Sequence, residues 1–159
     1  DTGGVFRCYD PSLLIQQIKK VRQNSDIVVT LLHWGKEDST DLEEVQSETA
    51  KKYIEAGSDI IIGTHAHILQ GIDFYQGKAI IYNLGDFIFN NETKDTAIFQ
   101  LTVDNEKNFQ YKIIPCQQKD EYTSLATEND KLRILEKLRN LSPNVFFEEN
   151  GNFYEKNTN

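Results

Sequence analysis

The sequence is short of several residue types. Its 159 residues contain no methionine, three prolines, two cysteines, one tryptophan and three histidines. With so few prolines beside nine glycines, collagen-like and proline-rich classes are excluded. Two cysteines cannot build a disulfide framework: Cys8 and Cys116 lie far apart, follow no C-x-x-C spacing, and fit either two isolated thiols or one bridge. No apolar run approaches the roughly 20 residues of a membrane span. Positive charge is also scarce. Lys and Arg number 17 against 25 Asp and Glu, a net charge of −8, which argues against nucleic acid or an anionic membrane surface as the main partner. The missing methionine is read as the mark of an upstream portion removed.

What is present is an ordinary globular composition, 38% hydrophobic and 26% charged, in one domain's length. Asp10-Pro11 is a helix start, and Leu13, Leu14, Gln17, Ile18 and Val21 carry helical spacing to about Gln23. Asp26 to His33 holds a nearly continuous run of β-branched and apolar residues, the pattern of a strand buried on both faces. A polar loop from Trp34 to Thr40, a helix from about Asp41 to Ala56 with Gly57 at its stop, and a short strand over Ser58 to Gly63 complete a βαβ unit. Two hairpins follow: Gly71–Gln76 with Ala79–Leu84, and Thr96–Val103 with Phe109–Ile114. The spacing predicts a last helix from Glu128 to Leu141 and, from Ser142, a polar and loosely ordered tail. The fold class is therefore α/β with mixed α+β character: a parallel unit giving way to antiparallel strands.

The three histidines stand at two strand ends. His33 closes the first buried run and is followed by Trp34-Gly35; His65 and His67 follow the next strand in Gly63-Thr64-His65-Ala66-His67. In a parallel sheet both places fall at the carboxyl edge, where ligands bind in open α/β folds. Imidazole is the commonest metal ligand, and an H-x-H pair can give both rings to one ion or one ring to each of two.

Three ordered motifs carry a family resemblance. Leu31-Leu32-His33-Trp34-Gly35-Lys36-Glu37 resembles the "HWG-x-E" motif of the CapA-type poly-γ-glutamate capsule biosynthesis proteins, a bacterial branch of the calcineurin-like metallophosphoesterase fold. Gln46, Ala50, Ala56-Gly57 and Asp59 match the family's following helix and strand. Gly63 to Gly71 resembles "G-x-H-P-H-x-x-Q-G", and Tyr75 to Phe89 resembles "Y-x-G-K-P-I-x-Y-S-L-G-N-F-I-F". The resemblance is continuous from about Asp10 to Phe89.

It implies a four-layer sandwich of two mixed sheets flanked by helices around a dinuclear centre of divalent ions (Mn, Fe or Zn), in an extracytoplasmic, membrane-associated protein. His33, His65 and His67 are similar to its metal-ligating histidines. Glu37 and Asp86 are the candidate catalytic carboxylates: Glu37 would orient a ligand or meet substrate, or be a solvated loop acid, and Asp86 would face the metals or cap a turn. Trp34 is either a pocket wall or a core anchor. Ala66 and Ala79 replace prolines of the family pattern, and Asn83 and Asp86 stand where it has Ser and Asn.

The family's first ligand motifs have no counterpart before Asp10, so residues 1–141 are expected to be the C-terminal half of the domain. Three histidines cannot satisfy two divalent ions. The chain by itself is expected to be metal-poor or to hold one ion weakly, and to be inactive alone. Its expected partners are the missing N-terminal half, a capsule polymer or other envelope substrate, or a second copy through a bare sheet edge, and no nucleic acid. An acidic surface repels polyglutamate, so contact with that polymer requires added positive charge. The functional classes in competition are a metal-dependent hydrolase or transferase, a non-catalytic scaffold for assembling, exporting or anchoring the polymer, and a binding lobe.

Overall fold

A computed structural model describes residues 10–89 and 91–156. They form three helices and nine strands. Helix α1 spans Pro11–Arg22: Pro11 pre-sets the first turn, and the Asp10 carboxylate accepts a hydrogen bond from Ser12 N at 2.9 Å. Strand β1, Val29–His33, leads through a loop to helix α2, Glu44–Glu55. This helix starts later than the apolar spacing suggests. The Gln46 side chain turns back to accept from Glu43 N at 2.9 Å, so residues 41–43 act as the entry rather than the first turn. Strand β2, Ile60–Thr64, pairs in parallel with β1, Leu31 opposite Ile62 and His33 opposite Thr64. Strands β3, Ile72–Tyr75, and β4, Lys78–Ile81, form the first hairpin, whose β4 adds to β2 in parallel. The sheet order is β1-β2-β4-β3.

The second sheet is antiparallel. Its long hairpin, β5 (Lys94–Val103) with β6 (Phe109–Lys119), carries β7 (Tyr122–Leu125) on one part of β6 and β9 (Asn152–Glu155) on another, with β8 (Val145–Phe147) beyond β9. Helix α3, Glu128–Leu141, lies between β7 and β8 in the chain and matches the expected bounds. The loosely ordered tail expected from Ser142 is corrected over Val145–Glu155. Alternation places Val145, Phe147 and Phe153 on one face, all buried, and Tyr111 and Phe153 stack at 5.5 Å. The Asn and Glu between those aromatics form the turn: Asn152 N donates to Asn150 Oδ1 and Gly151 takes φ 91°.

Two cores result. Ile60, Ala79, Ile81 and Ile72 of the first sheet meet Ala97, Ile113, Phe153 and the α3 residues Ile134, Leu135 and Leu138. On the other side Ile61, Ile80 and Tyr82 meet Ile18 of α1 and Ala50, Tyr53 and Ile54 of α2. This layering of helices, mixed sheet and antiparallel sheet is a sandwich-type α+β fold. Strand β1 departs from the expected double burial: Val29 is half exposed and Leu31 is 72% exposed. The strand lies at the sheet's edge, where the helices cover the Thr30 and Leu32 face and nothing among the described residues covers the other.

Asp59 enters β2 at the far end from the histidines. It accepts from Arg22 Nη1 and Lys78 Nζ at 2.6 Å each and from Val28 N at 2.9 Å. Burial alone would push this carboxyl up; the bonds from Lys78, Val28 and Arg22 outweigh that and hold it below the usual carboxylate range. Cys116 is a buried free thiol, raised by its burial. Cys8, like the rest of residues 1–9, lies outside the described residues.

Candidate metal centre

The parallel pairing of β1 with β2 sets His33 opposite Thr64. His65 is therefore the first residue past that edge, and the rings of His33 and His65 lie 4.4 Å apart. The chain then turns tightly. His65 takes φ 101° and His67 φ 60°, both left-handed, with Ala66 between them fully buried. Non-glycine residues in such conformations cost about 1–3 kcal/mol each and persist where surrounding structure compels them. Here Ala66 O accepts from Asp38 N at 2.9 Å, and Trp34 N donates to Thr64 O at 3.1 Å, so the 34–43 loop clamps the turn. The result is that His65 and His67 face the same space, 6.1 Å between ring centres.

Glu37 completes the group. Its Oε1 is 4.0 Å from His65 Nε2, and one ligand atom each of Glu37, His65 and His67 lie within 4.8 Å of one another. Two imidazoles and one carboxylate form a donor set that could hold one divalent ion of borderline softness with positions left open.

Hydrogen bonding disposes two of the rings for coordination. Thr64 Oγ1 donates its single hydrogen to Leu32 O at 3.1 Å, so it accepts from His33 Nδ1 at 3.3 Å and the His33 Nε2 lone pair stays free. His67 Nδ1 lies 2.6 Å from Asp86 Oδ1, which assigns that nitrogen the proton and frees Nε2 likewise. Asp86 is 8% exposed and is thus placed against a histidine rather than in the turn-capping role. The turn cap is Asn83, whose Oδ1 accepts from Gly85 N at 2.9 Å.

The segment that carries Asp86 is itself anchored to the second sheet. Thr96 Oγ1 donates to Leu84 O at 2.8 Å, Gln118 Oε1 accepts from Phe89 N at 2.9 Å, and Gln118 Nε2 donates to Glu92 O at 3.0 Å. Phe89 lies against the His67 ring at 4.3 Å, and the exposed Phe87, Ile88 and Phe89 form an apolar lip beside the histidines. Trp34 is a core anchor: it stacks on Tyr82 and donates Nε1 to Tyr82 O at 3.3 Å.

Two buried glutamines tie the clamp together. Gln70 Nε2 donates to Ser39 O at 2.9 Å, and Gln46 Nε2 reaches Gln70 Oε1 at 3.4 Å. Lys94, whose ammonium lies 3.4 Å from Asp86 Oδ2, does not follow from spacing. Gln70 stands at the glutamine of the Gly63–Gly71 motif and is also a polar side chain at the end of the apolar pair Ile68-Leu69.

The motifs at this edge are those of a known group of proteins. The sequence-family model described as Bacterial capsule synthesis protein PGA_cap matches residues 6–91, a range that includes His33, Glu37, His65, His67 and Asp86. The chain is 32% identical over 150 residues, 92% of its length, to the PGA biosynthesis protein CapA of Bacillus subtilis strain 168, of which it covers 39%. It is 33% identical over 137 residues, 81% of its length, to the capsule biosynthesis protein CapA of Bacillus anthracis, of which it covers 33%. A probable polyglutamine synthesis accessory protein of Mycobacterium tuberculosis is 28% identical over 98 residues, 58% of this chain and 26% of that protein. The chain thus spans between a third and two fifths of the length of the Bacillus relatives. With the family model matching residues 6–91, more than half of its length and the whole histidine edge, this chain belongs to the bacterial capsule synthesis protein family of CapA type.

Proposed function

We propose that this chain is the histidine-bearing part of a metal-dependent hydrolase or transferase that acts in the cell envelope on a poly-γ-glutamate capsule polymer or its precursor. The observation that carries the reading is the pair of left-handed histidines, His65 and His67, clamped so that one ligand atom of each lies with one of Glu37 within 4.8 Å of the others. Strained backbone held in place by the rest of the fold is characteristic of sites where geometry is the function. The residues named are chemically suited to a divalent ion, with His65, His67 and Glu37 as its holders and His33 beside them. When bound, such an ion supplies Lewis acidity and water of lowered pKa at neutral pH. Asp86 holds the His67 ring and its proton on Nδ1. Glu37, the most exposed of the group, is available either to the ion or to a proton on the reacting molecule.

The relatives' names place them in capsule, PGA or polyglutamine synthesis, and a role at the cell envelope follows for this chain by likeness. None of its described helices is long and apolar enough to cross a membrane. The test is metal content by elemental analysis after saturation with Mn, Fe or Zn, for this chain and for a longer protein carrying the upstream portion, with phosphodiester hydrolysis measured on the latter. One ion per chain, lost on His65→Ala or His67→Ala, is expected. A longer protein that stays metal-free at saturating divalent ion refutes the reading.

A second reading is favoured by the donor count: among the described residues one group of three donors is present, short of a dinuclear set. On that reading the protein is a scaffold for assembling, exporting or anchoring the polymer. It predicts capsule loss on gene deletion and full capsule when all three histidines are replaced by alanine.

A further inference from the structure

The Asp86 carboxylate has two oxygens and two uses. Oδ1 accepts a hydrogen bond from His67 Nδ1 at 2.6 Å, while Oδ2 faces Lys94 Nζ at 3.4 Å. Lys94 opens strand β5, and its ammonium also lies 3.2 Å from Glu92 and 4.0 Å from Asp38. Four carboxylates therefore converge near the histidines, Glu37, Asp38, Asp86 and Glu92, and Lys94 is the cation among them. Its side chain is 19% exposed, against 65% and 74% for Glu92 and Asp38, so the buried partner it serves is Asp86 at 8%.

We propose that Lys94 is a positioning residue for the metal centre: by holding Oδ2 it keeps Oδ1 aimed at His67 and so fixes the His67 ring as the Nδ1–H form with Nε2 free. A carboxylate so far from water needs compensation on both oxygens. With Lys94 gone, the side chain relaxes by turning Oδ2 toward solvent, which takes Oδ1 off the ring. The imidazole then loses its fixed tautomer and orientation, and a ligand whose supporting partner is lost binds metal typically 10–100-fold more weakly. Lys94 also ties three chain segments at once, the loop after β1 through Asp38, the segment after β4 through Asp86 and the start of β5 itself. This placement suits a residue that sets how the two halves of the ligand group face each other. The inference rests on the metal reading above only for its functional consequence.

The test compares Lys94→Met, Lys94→Arg and Glu92→Gln with the wild type in two measurements. The first is the His67 tautomer in metal-free protein from long-range 1H–15N NMR of the imidazole nitrogens. The second is Co2+ or Zn2+ affinity by titration. The wild type is expected to show Nδ1–H on His67. K94M is expected to lose that single form and to bind about tenfold or more weakly, while K94R and E92Q keep both wild-type results. Thermal melting of each variant identifies one that has failed to fold, and K94R then carries the test: loss of the Nδ1–H form in a folded K94R overturns the proposal, as does a folded K94M that keeps it. If no protein binds Co2+ or Zn2+, the metal reading falls while the NMR result still decides the role of Lys94.

Discussion

Gly63 is where the fold and the site press hardest on one another. It sits in β2 opposite Leu32, and a Cβ added there would lie 2.0 Å from Tyr82 O and 2.2 Å from Trp34 Nε1. Those two atoms are the acceptor and donor of the hydrogen bond that closes over the strand at 3.3 Å. A methyl group would stand between them. The neighbours have little freedom to yield, since Tyr82 O is backbone and Trp34 is stacked on the Tyr82 ring. Overpacking of this kind costs about 1–3 kcal/mol, and the lost bond adds about 0.5–1.5 kcal/mol. Gly63→Ala should therefore destabilise by about 2–4 kcal/mol, which for a domain of this size lowers Tm by about 5–15 °C. Trp34 is the sole tryptophan, so its fluorescence reports the same event: urea and thermal unfolding followed by emission should show both the lower stability and a red shift of the folded signal. Gly77→Ala is the comparison. Nothing lies within 4 Å of its added Cβ, leaving only the positive φ of +71° to charge about 1–2 kcal/mol. A Gly63→Ala protein within about 0.5 kcal/mol of the wild type, the range of inconsequential surface changes, refutes the packing argument.

Gln70→Leu removes the partner of Ser39 O and of Gln46 Nε2 and should cost about 2–3 kcal/mol; hydrogen exchange at the Asp38 amide, which is bonded to Ala66 O, should accelerate with it. The carboxyls of Asp59 and Asp95 are both held below their usual range, against their burial, by hydrogen bonds from Lys78 and from Arg133 respectively. Their stabilisation is present above the unfolded value of about 3.9 and is lost as pH falls through the lower folded values, so stability should drop below about pH 4 and Asp59→Asn should flatten that limb in urea titrations. Burial pushes the Tyr111 hydroxyl up to about 12, so its stabilisation is full below about pH 10 and disappears as pH rises toward 12; Tyr111→Phe should reduce the alkaline loss of stability in thermal melts, the remainder coming from Tyr82, which burial also raises.

Legibility followed the range of the forces involved. Local chemistry marked α1 and α3 closely: Asp10-Pro11 caps one, and Thr127 caps the other by accepting from Asp130 N. Apolar spacing does not reveal the start of α2, because Gln46, three residues past Glu43, sets it by folding back on the Glu43 amide. Strands β8 and β9 look like a loose tail in the sequence because three buried aromatic or aliphatic residues stand among Asn and Glu, and only β6 supplies them a neighbour. The run of β-branched and other apolar residues around Val29 and Leu31 signals suitability for a sheet and not the number of covered faces, which is why both stand exposed on an edge strand.

Sequence alone determined the composition, the βαβ-then-hairpin order, the three histidines at two strand ends and the family motifs around them, because these depend on residue type and short spacing. Only the tertiary structure decided that the His33 and His65 rings lie side by side, tilted, 4.4 Å apart, that His65 and His67 turn through left-handed backbone toward Glu37, and that Asp86 and Lys94 stand behind them. Those relations span up to 61 residues of chain, from His33 to Lys94. They are set by the β1–β2 register and by the bonds that tie residues 84–92 to the second sheet, long-range pairings that no local pattern encodes.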